Sequence, residues 1–232
     1  MPTASSSCSN AIQERLAGLI PADVAAAAGA IEAWSDQLFP EEATEVDGAV
    51  ESRRAAFRAG RAAARAALRA LGRPPAPIPR APERDPVWPA GLVGAITHSR
   101  THSAALVAPA DLYLGLGVDL EGAEPLKPQL RRKICRPEDR VDAPLQAIER
   151  GKLIFSAKEA VFKAYYPRVR RYLDFLDAVL EIDEASGAFR AEIVNPDSPP
   201  LAGLRAFEGR WCVVEGQVLT ALCVPAGEGA GA

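Results

Sequence analysis

The chain has 232 residues, 48% of them hydrophobic, a formal net charge of −3 and a pI near 5.6. That length supports one large domain or two small ones around a proper core. The mild acidity argues against a dedicated nucleic-acid binder, and no run of 18 apolar residues is present to span a membrane.

In chain order, residues 1–10 are Ser-rich and residues 226–232 Gly/Ala-rich, and both are expected to be mobile tails. The N-terminus lacks the basic region of a secretion signal. Residues 14–51 carry nine acids and one base, whereas residues 53–84 carry nine arginines and one acid. So basic a block in an acidic chain is either a solvated face or an anion site. Residues 49–71 read as a helix stopped by Gly72 and Pro74. On its wheel Arg54, Arg58, Arg61, Arg65 and Arg69 form one stripe, expected to be solvated. Arg61 lies at the border of the apolar stripe and Arg53 on its apolar side, where an arginine needs an anion. A Pro-rich linker from Pro74 to Pro89 follows. Strands are expected at 91–97, 103–108, 112–120, 178–182, 189–194, 210–214 and 217–224. The segment 121–150 reads as a loop, and residues 156–166 as a helix ending at Pro167. Mixed elements in both halves give an α/β or α+β class.

Four cysteines, Cys8, Cys135, Cys212 and Cys223, show no Cys-x-x-Cys spacing, so they read as reduced thiols of a cytoplasmic protein. A hairpin turn at Glu215-Gly216 places Cys212 opposite Leu219 rather than opposite Cys223.

Three constellations carry chemistry. In Gly117-Val118-Asp119-Leu120-Glu121 the two acids lie two apart on a strand and share a face. They are either solvent-facing acids at a strand end or a pair needing a cation, for which Mg²⁺ with substrate phosphates is suited. In Phe155-Ser156-Ala157-Lys158-Glu159-Ala160…Lys163, Ser156 and Glu159 match a helix capping box, and Glu159 and Lys163 an i,i+4 pair. Aromatic neighbours suggest burial of these charges instead. Thr97-His98-Ser99 follows an apolar strand, and His98 is either a phosphate-binding imidazolium or a satisfied loop residue. His98 and His102 lack the further ligands of a zinc site, and no Gly-x-Ser-x-Gly elbow is present. Gly115-Leu-Gly117 is not a dinucleotide fingerprint.

The ordered set resembles the Sfp/EntD-type 4′-phosphopantetheinyl transferases, nearest the EntD-like branch. It comprises Leu38-Phe39-Pro40-Glu41-Glu42, the Arg53–Leu68 block, Trp88-Pro89…Thr97-His98-Ser99, Gly117–Glu121 and Phe155–Ala164. The similarity covers about residues 35 to 224. The resemblance implies transfer of 4′-phosphopantetheine from coenzyme A to a serine of an apo acyl or peptidyl carrier protein, releasing 3′,5′-ADP. It implies two similar subdomains about a pseudo-twofold, set at residues 11–117 and 118–225, with coenzyme A between them. It further implies Mg²⁺ ligation by Asp119, Glu121 and Glu159, with Leu120 offering only backbone. Lys163 and Lys158 would contact the pyrophosphate, and Arg53, Arg61, Arg80 and Arg84 the nucleotide phosphates. Thr97 and His98 would lie near the 3′-phosphate, and Leu173 along the pantetheine arm. Glu159, or Glu121 through water, would take the serine proton, and Lys163 would assist.

Arg168, Arg170 and Arg171 are candidate docking residues for an acidic carrier, or a solvated turn. Two rival functions share these residues: a Mg²⁺-dependent phosphohydrolase acting on coenzyme A or a holo carrier, and an inactive coenzyme A-binding protein. No membrane or nucleic-acid partner is expected, and two halves in one chain suggest a monomer.

Overall fold

The computed structural model describes residues 5–141 and 149–227, with side chains from residue 11 onward. Residues 1–4 and 228–232 of the two expected tails lie outside the described residues. The rest of the first tail belongs to helix α1 (Ser5–Ala17). Strand β1 (Ala25–Ala30) follows, then the short helix α2 (Pro40–Ala43) and the long helix α3 (Glu51–Ala70). Next come β2 (Leu92–His98), β3 (His102–Pro109) and β4 (Tyr113–Gly122). Helix α4 (Pro128–Ile134) and β5 (Arg140–Val141) occupy part of the segment read as loop, which is thereby corrected. Helix α5 (Arg150–Val169) precedes β6 (Ala178–Asp183), β7 (Ala188–Ile193), β8 (Ala206–Val214) and β9 (Gln217–Pro225).

The strands form two sheets. The smaller has the order β1-β3-β2 and is antiparallel throughout. The larger has the order β4-β9-β8-β7-β6-β5, antiparallel except for β5 with β6. The division expected between Gly117 and Val118 falls inside β4, which runs unbroken in the larger sheet. Helix α3 buries alanines, Leu68 and the linker's Ile78 against Ala105 and Val107 of the small sheet. Helix α1 packs Ile12 and Leu16 in a cluster that includes Leu106 of β3 and Leu116, Val118 and Leu120 of β4. Gln13 of α1 pairs with edge strand β1: its Oε1 accepts from the Ala28 amide at 2.6 Å, and its Nε2 donates to the Ala26 carbonyl at 3.2 Å. Helix α5 covers the larger sheet through Leu153, Ile154, Val161 and Tyr165.

Several local expectations hold. Gly72 adopts φ +72 and ends α3, with the Arg73 amide donating back to the Leu68 carbonyl at 2.9 Å. Glu215 and Gly216, at φ +51 and +68, form the tight turn between β8 and β9, and Cys212 pairs in register with Leu219. Of the four cysteines, Cys135, Cys212 and Cys223 are free thiols, and the Cys8 side chain lies outside the described residues.

Two expectations are corrected. Ser156 does not begin a helix. Helix α5 starts six residues earlier, where the Glu149 side chain accepts from the Lys152 amide, and Ser156 is buried in mid-helix against the Thr220 hydroxyl at 3.0 Å. The arginine stripe of α3 is not uniformly solvated. Arg65 is 2% exposed and donates to both oxygens of the fully buried Glu42, at 2.9 and 3.1 Å. Glu42 also accepts from the Ile78 and Phe39 amides, so it ties the linker and α2 to α3.

Candidate active site

The site is built on β4 and α5. Leu116, Val118 and Leu120 of β4 turn into the core shared with α1, so the opposite face carries Gly115, Gly117, Asp119 and Glu121. The glycines admit α5 at very short range. A Cβ on Gly117 would lie 2.7 Å from the Ala160 carbonyl carbon, and one on Gly115 would lie 3.1 Å from that of Ala164. Two same-face positions beyond Gly117, Glu121 accepts from Nζ of Lys152 of α5 at 3.3 Å. The Gly-x-Gly spacing thus serves strand–helix contact, and it delivers Glu159 and Lys163 beside Asp119.

Asp119 is 3% exposed. Its Oδ1 accepts from Lys163 Nζ at 2.7 Å and from Thr97 Oγ1 at 3.0 Å. Lys163 also donates to Thr97 Oγ1 and to the Val118 carbonyl. Asp119 Oδ2 is buried without a partner among the described residues. Burial and then the Asp119 charge raise the Glu121 pKa, against the pull of Lys152. Burial raises the Glu159 pKa as well, opposed by Lys163 and reinforced by Asp119 and Glu121. Three mutually repelling carboxylates and an orphaned oxygen suit a hard divalent cation. As the side chains stand, no group of three or more metal-ligating residues is already gathered among the described residues. Leu120 is fully buried on the other face, so only its backbone is near.

A cleft of about 690 Å³ opens beside Glu159 and Lys163, with Arg84, Asp85 and Ile96 on its other wall. His98 lies within reach of the Lys163, Arg53 and Asp119 charges: desolvation and then Lys163 and Arg53 lower its pKa against the Ser99 backbone and Asp119. Arg61 and Arg80 both lie over the Phe57 ring, 4.3 and 4.6 Å from its centroid. Burial brings the Arg61 pKa down to about 10, and its buried Nε has no partner among the described residues. Desolvation and then Arg53 also lower the Arg80 pKa. Arg53 itself is exposed. Glu42 and Glu45 offset part of the positive charge at Arg61, and Glu45 part of that at Arg80, while Arg84, which also acts on Arg80, lines the cleft. Leu173, 7% exposed, lines a small cavity of about 70 Å³ shared with Glu159 and Phe162.

Lys158 is not brought to the site. Its Nζ is spent on the Ile134 carbonyl at 2.9 Å, Asp139 at 3.1 Å and the Phe175 carbonyl at 2.9 Å, away from Asp119. This ammonium has three protons and three acceptors, so nothing remains for a phosphate. Arg168 donates through Nε to the Leu114 carbonyl and Arg170 through Nη1 to Asp85, and both guanidinium groups remain at the surface. Sequence reasoning missed Lys152 as the partner of Glu121. The available signal was its scarcity: three of the five lysines fall between residues 152 and 163.

Comparison with known proteins decides the family. The model of the 4′-phosphopantetheinyl transferase N-terminal domain matches residues 41–108, and that of the 4′-phosphopantetheinyl transferase superfamily matches residues 115–217. The 4′-phosphopantetheinyl transferase Svp of Streptomyces mobaraensis is 41% identical over 199 residues, 83% of this chain and 80% of that protein. The chain belongs to the 4′-phosphopantetheinyl transferase superfamily. Other transferases of this superfamily agree with it along most of their length. PptT of Mycobacterium tuberculosis is 36% identical over 222 residues, 89% of this chain and 96% of its own. Npt of Nocardia iowensis is 34% identical over 197 residues, 80% of this chain and 89% of its own. The chain is therefore an enzyme, a phosphopantetheinyl transferase, with the mixed α/β architecture of its superfamily. No helix among the described residues of this transferase is long and apolar enough to cross a membrane.

Proposed function

We propose that the 690 Å³ cleft holds coenzyme A and that the β4–α5 carboxylates direct its phosphopantetheine to a carrier-protein serine. The observation that carries this reading is the Asp119 knot: one oxygen held by Lys163 and Thr97, the other buried without a partner among the described residues, and the carboxylate's charge felt by Glu159. Asp119, Glu121 and Glu159 would hold Mg²⁺, which would neutralise the pyrophosphate when bound. Lys163, now on Asp119, is positioned to share its charge with the pyrophosphate, and Thr97 keeps that ammonium in place. Arg53, Arg61, Arg80 and Arg84, together with His98, bind the nucleotide phosphates.

The serine oxygen attacks the β-phosphorus, a P–O bond forms, the bond to 3′,5′-ADP breaks, and the proton leaves the hydroxyl. Glu159 is the favoured acceptor, because it lines the cleft, whereas Lys152 occupies Glu121. The chain's contribution is positioning and charge neutralisation, as suits phosphoryl-type transfer. Both cleft walls come from one chain, so a monomer suffices, and free thiols suit the cytoplasm.

The test incubates the protein with coenzyme A, Mg²⁺ and an apo carrier and takes the intact mass of the carrier. A phosphopantetheine adduct is expected. Its absence across several carriers overturns the proposal, and free phosphopantetheine without any carrier would point to hydrolysis. Asp119→Ala should abolish transfer, and retained activity would refute the metal assignment.

A further inference from the structure

One ion pair spans the walls of the cleft and has no part in the chemistry above. Arg170 Nη1 donates to both carboxylate oxygens of Asp85, each at 2.9 Å. Arg170 caps the C-terminus of α5, the helix that carries Glu159 and Lys163. Asp85 belongs to the loop between Pro79 and Val87, which carries Arg80 and Arg84. That loop is bonded to itself: the Ala81 amide donates to the Asp85 carbonyl, the Arg84 amide to the Ala81 carbonyl and the Val87 amide to the Pro79 carbonyl. It therefore moves as a unit, and Asp85 is its ionic tie to α5. The pair borders both the main cleft and an adjoining, mostly apolar recess of about 310 Å³.

Two features argue that the pair does more than decorate the surface. The Asp85 carboxylate is only 10% exposed, so it needs a cation. Arg170 has φ +57 at a C-terminal position where glycine or asparagine caps with less strain. An arginine there is explained by what its side chain reaches.

We infer that Asp85 and Arg170 form a clasp that fixes the separation of the cleft walls and holds the Arg80–Arg84 loop against the nucleotide end of coenzyme A. Both are positioning residues, and their effect falls on the affinity for coenzyme A rather than on the carrier or the chemical step. The inference rests on the coenzyme A reading of the cleft.

The test measures transfer kinetics and calorimetric coenzyme A binding for Asp85→Asn, Arg170→Gly and the exchanged pair D85R/R170D. Arg170→Gly keeps the left-handed backbone without strain, so a loss there cannot come from a broken cap. Each single variant should raise the KM for coenzyme A about fivefold, with kcat and carrier KM within about twofold, as fits a half-exposed ion pair. The exchanged pair should recover at least half of that loss. Arg190→Ala breaks an exposed ion pair with Glu192 in β7, away from the cleft, and should leave the coenzyme A KM unchanged. A rise in carrier KM alone, unaltered binding by Arg170→Gly, or an exchanged pair no better than the singles would overturn the clasp. Failure of the wild-type protein to bind coenzyme A would instead overturn the cleft assignment.

Discussion

Replacing Gly117 with alanine should cost this transferase far more activity than stability. The new Cβ would sit 2.7 Å from the Ala160 carbonyl carbon and 3.2 Å from its Cα. Carbon atoms settle near about 3.5 Å apart, so α5 must retreat from β4 by roughly 1 Å. Backbone cannot rotate out of the way as a side chain can, and overpacking of this kind costs about 1–3 kcal/mol. The retreat carries Glu159 and Lys163 with it, stretching the 2.7 Å contact between Lys163 and Asp119 beyond hydrogen-bond range. Misplacement by about 1 Å lowers turnover by about 10²-fold. Gly216→Ala supplies the comparison. It strains a φ of +68 in a turn with nothing within 4 Å of the new Cβ, costing about 1 kcal/mol without moving α5. Urea unfolding gives the stability of each variant, and the mass-gain assay on an apo carrier gives turnover. If Gly117→Ala turned over as fast as Gly216→Ala, the close approach of α5 would not be what assembles the site.

Glu159→Gln should abolish transfer yet raise the melting temperature at pH 8 without Mg²⁺. The raised pKa means that the folded chain holds this proton more tightly than the unfolded chain does, so stability is lost as pH rises through the folded value. The gain should vanish below the ordinary carboxyl value of 4.5, which melts across a pH series would show. Arg65→Met should destabilise the fold by about 3–5 kcal/mol in urea, because it strands the buried Glu42 carboxylate. Lys158→Met strands Asp139 in the same way, and the fraction that folds should keep its coenzyme A KM; a raised KM would return Lys158 to the pyrophosphate.

Much of the framework was legible because its signals are local. Gly72 and Pro74 mark the end of α3, the Glu215-Gly216 turn fixes the register of β8 and β9, and alternating apolar residues reveal β4. The acids Asp119 and Glu121 on β4 and Glu159 on α5 stood out by spacing, but spacing left bland readings open, and only the ordered set of motifs joined them into one expected site. What escaped depends on partners far away in sequence. The run Ala25–Ala30 has the composition of a helix, and becomes a strand because β3 pairs with it. Arg65 looks like the other arginines of its stripe on the wheel, and only the folded chain brings Glu42 to it. Ser156 imitates a cap because Ser-x-x-Glu is short enough to arise inside a helix, whereas the apolar Leu153 and Ile154 before it already belong to α5. Lys158 and Lys163 cannot be separated by composition or scarcity, since five residues along one helix turn them to different neighbours.

The amide of Gln13 has a consequence beyond packing. It offers edge strand β1 one acceptor and one donor, the pair of bonds that another strand would otherwise supply. This edge, five alanines and one glycine, carries no charge to repel a second chain. Helix α1 therefore acts as a stopper, closing the small sheet to recruitment by foreign strands. Shortening the chain past this helix would expose a template for intermolecular β-pairing at the end of the molecule remote in sequence from its catalytic helix.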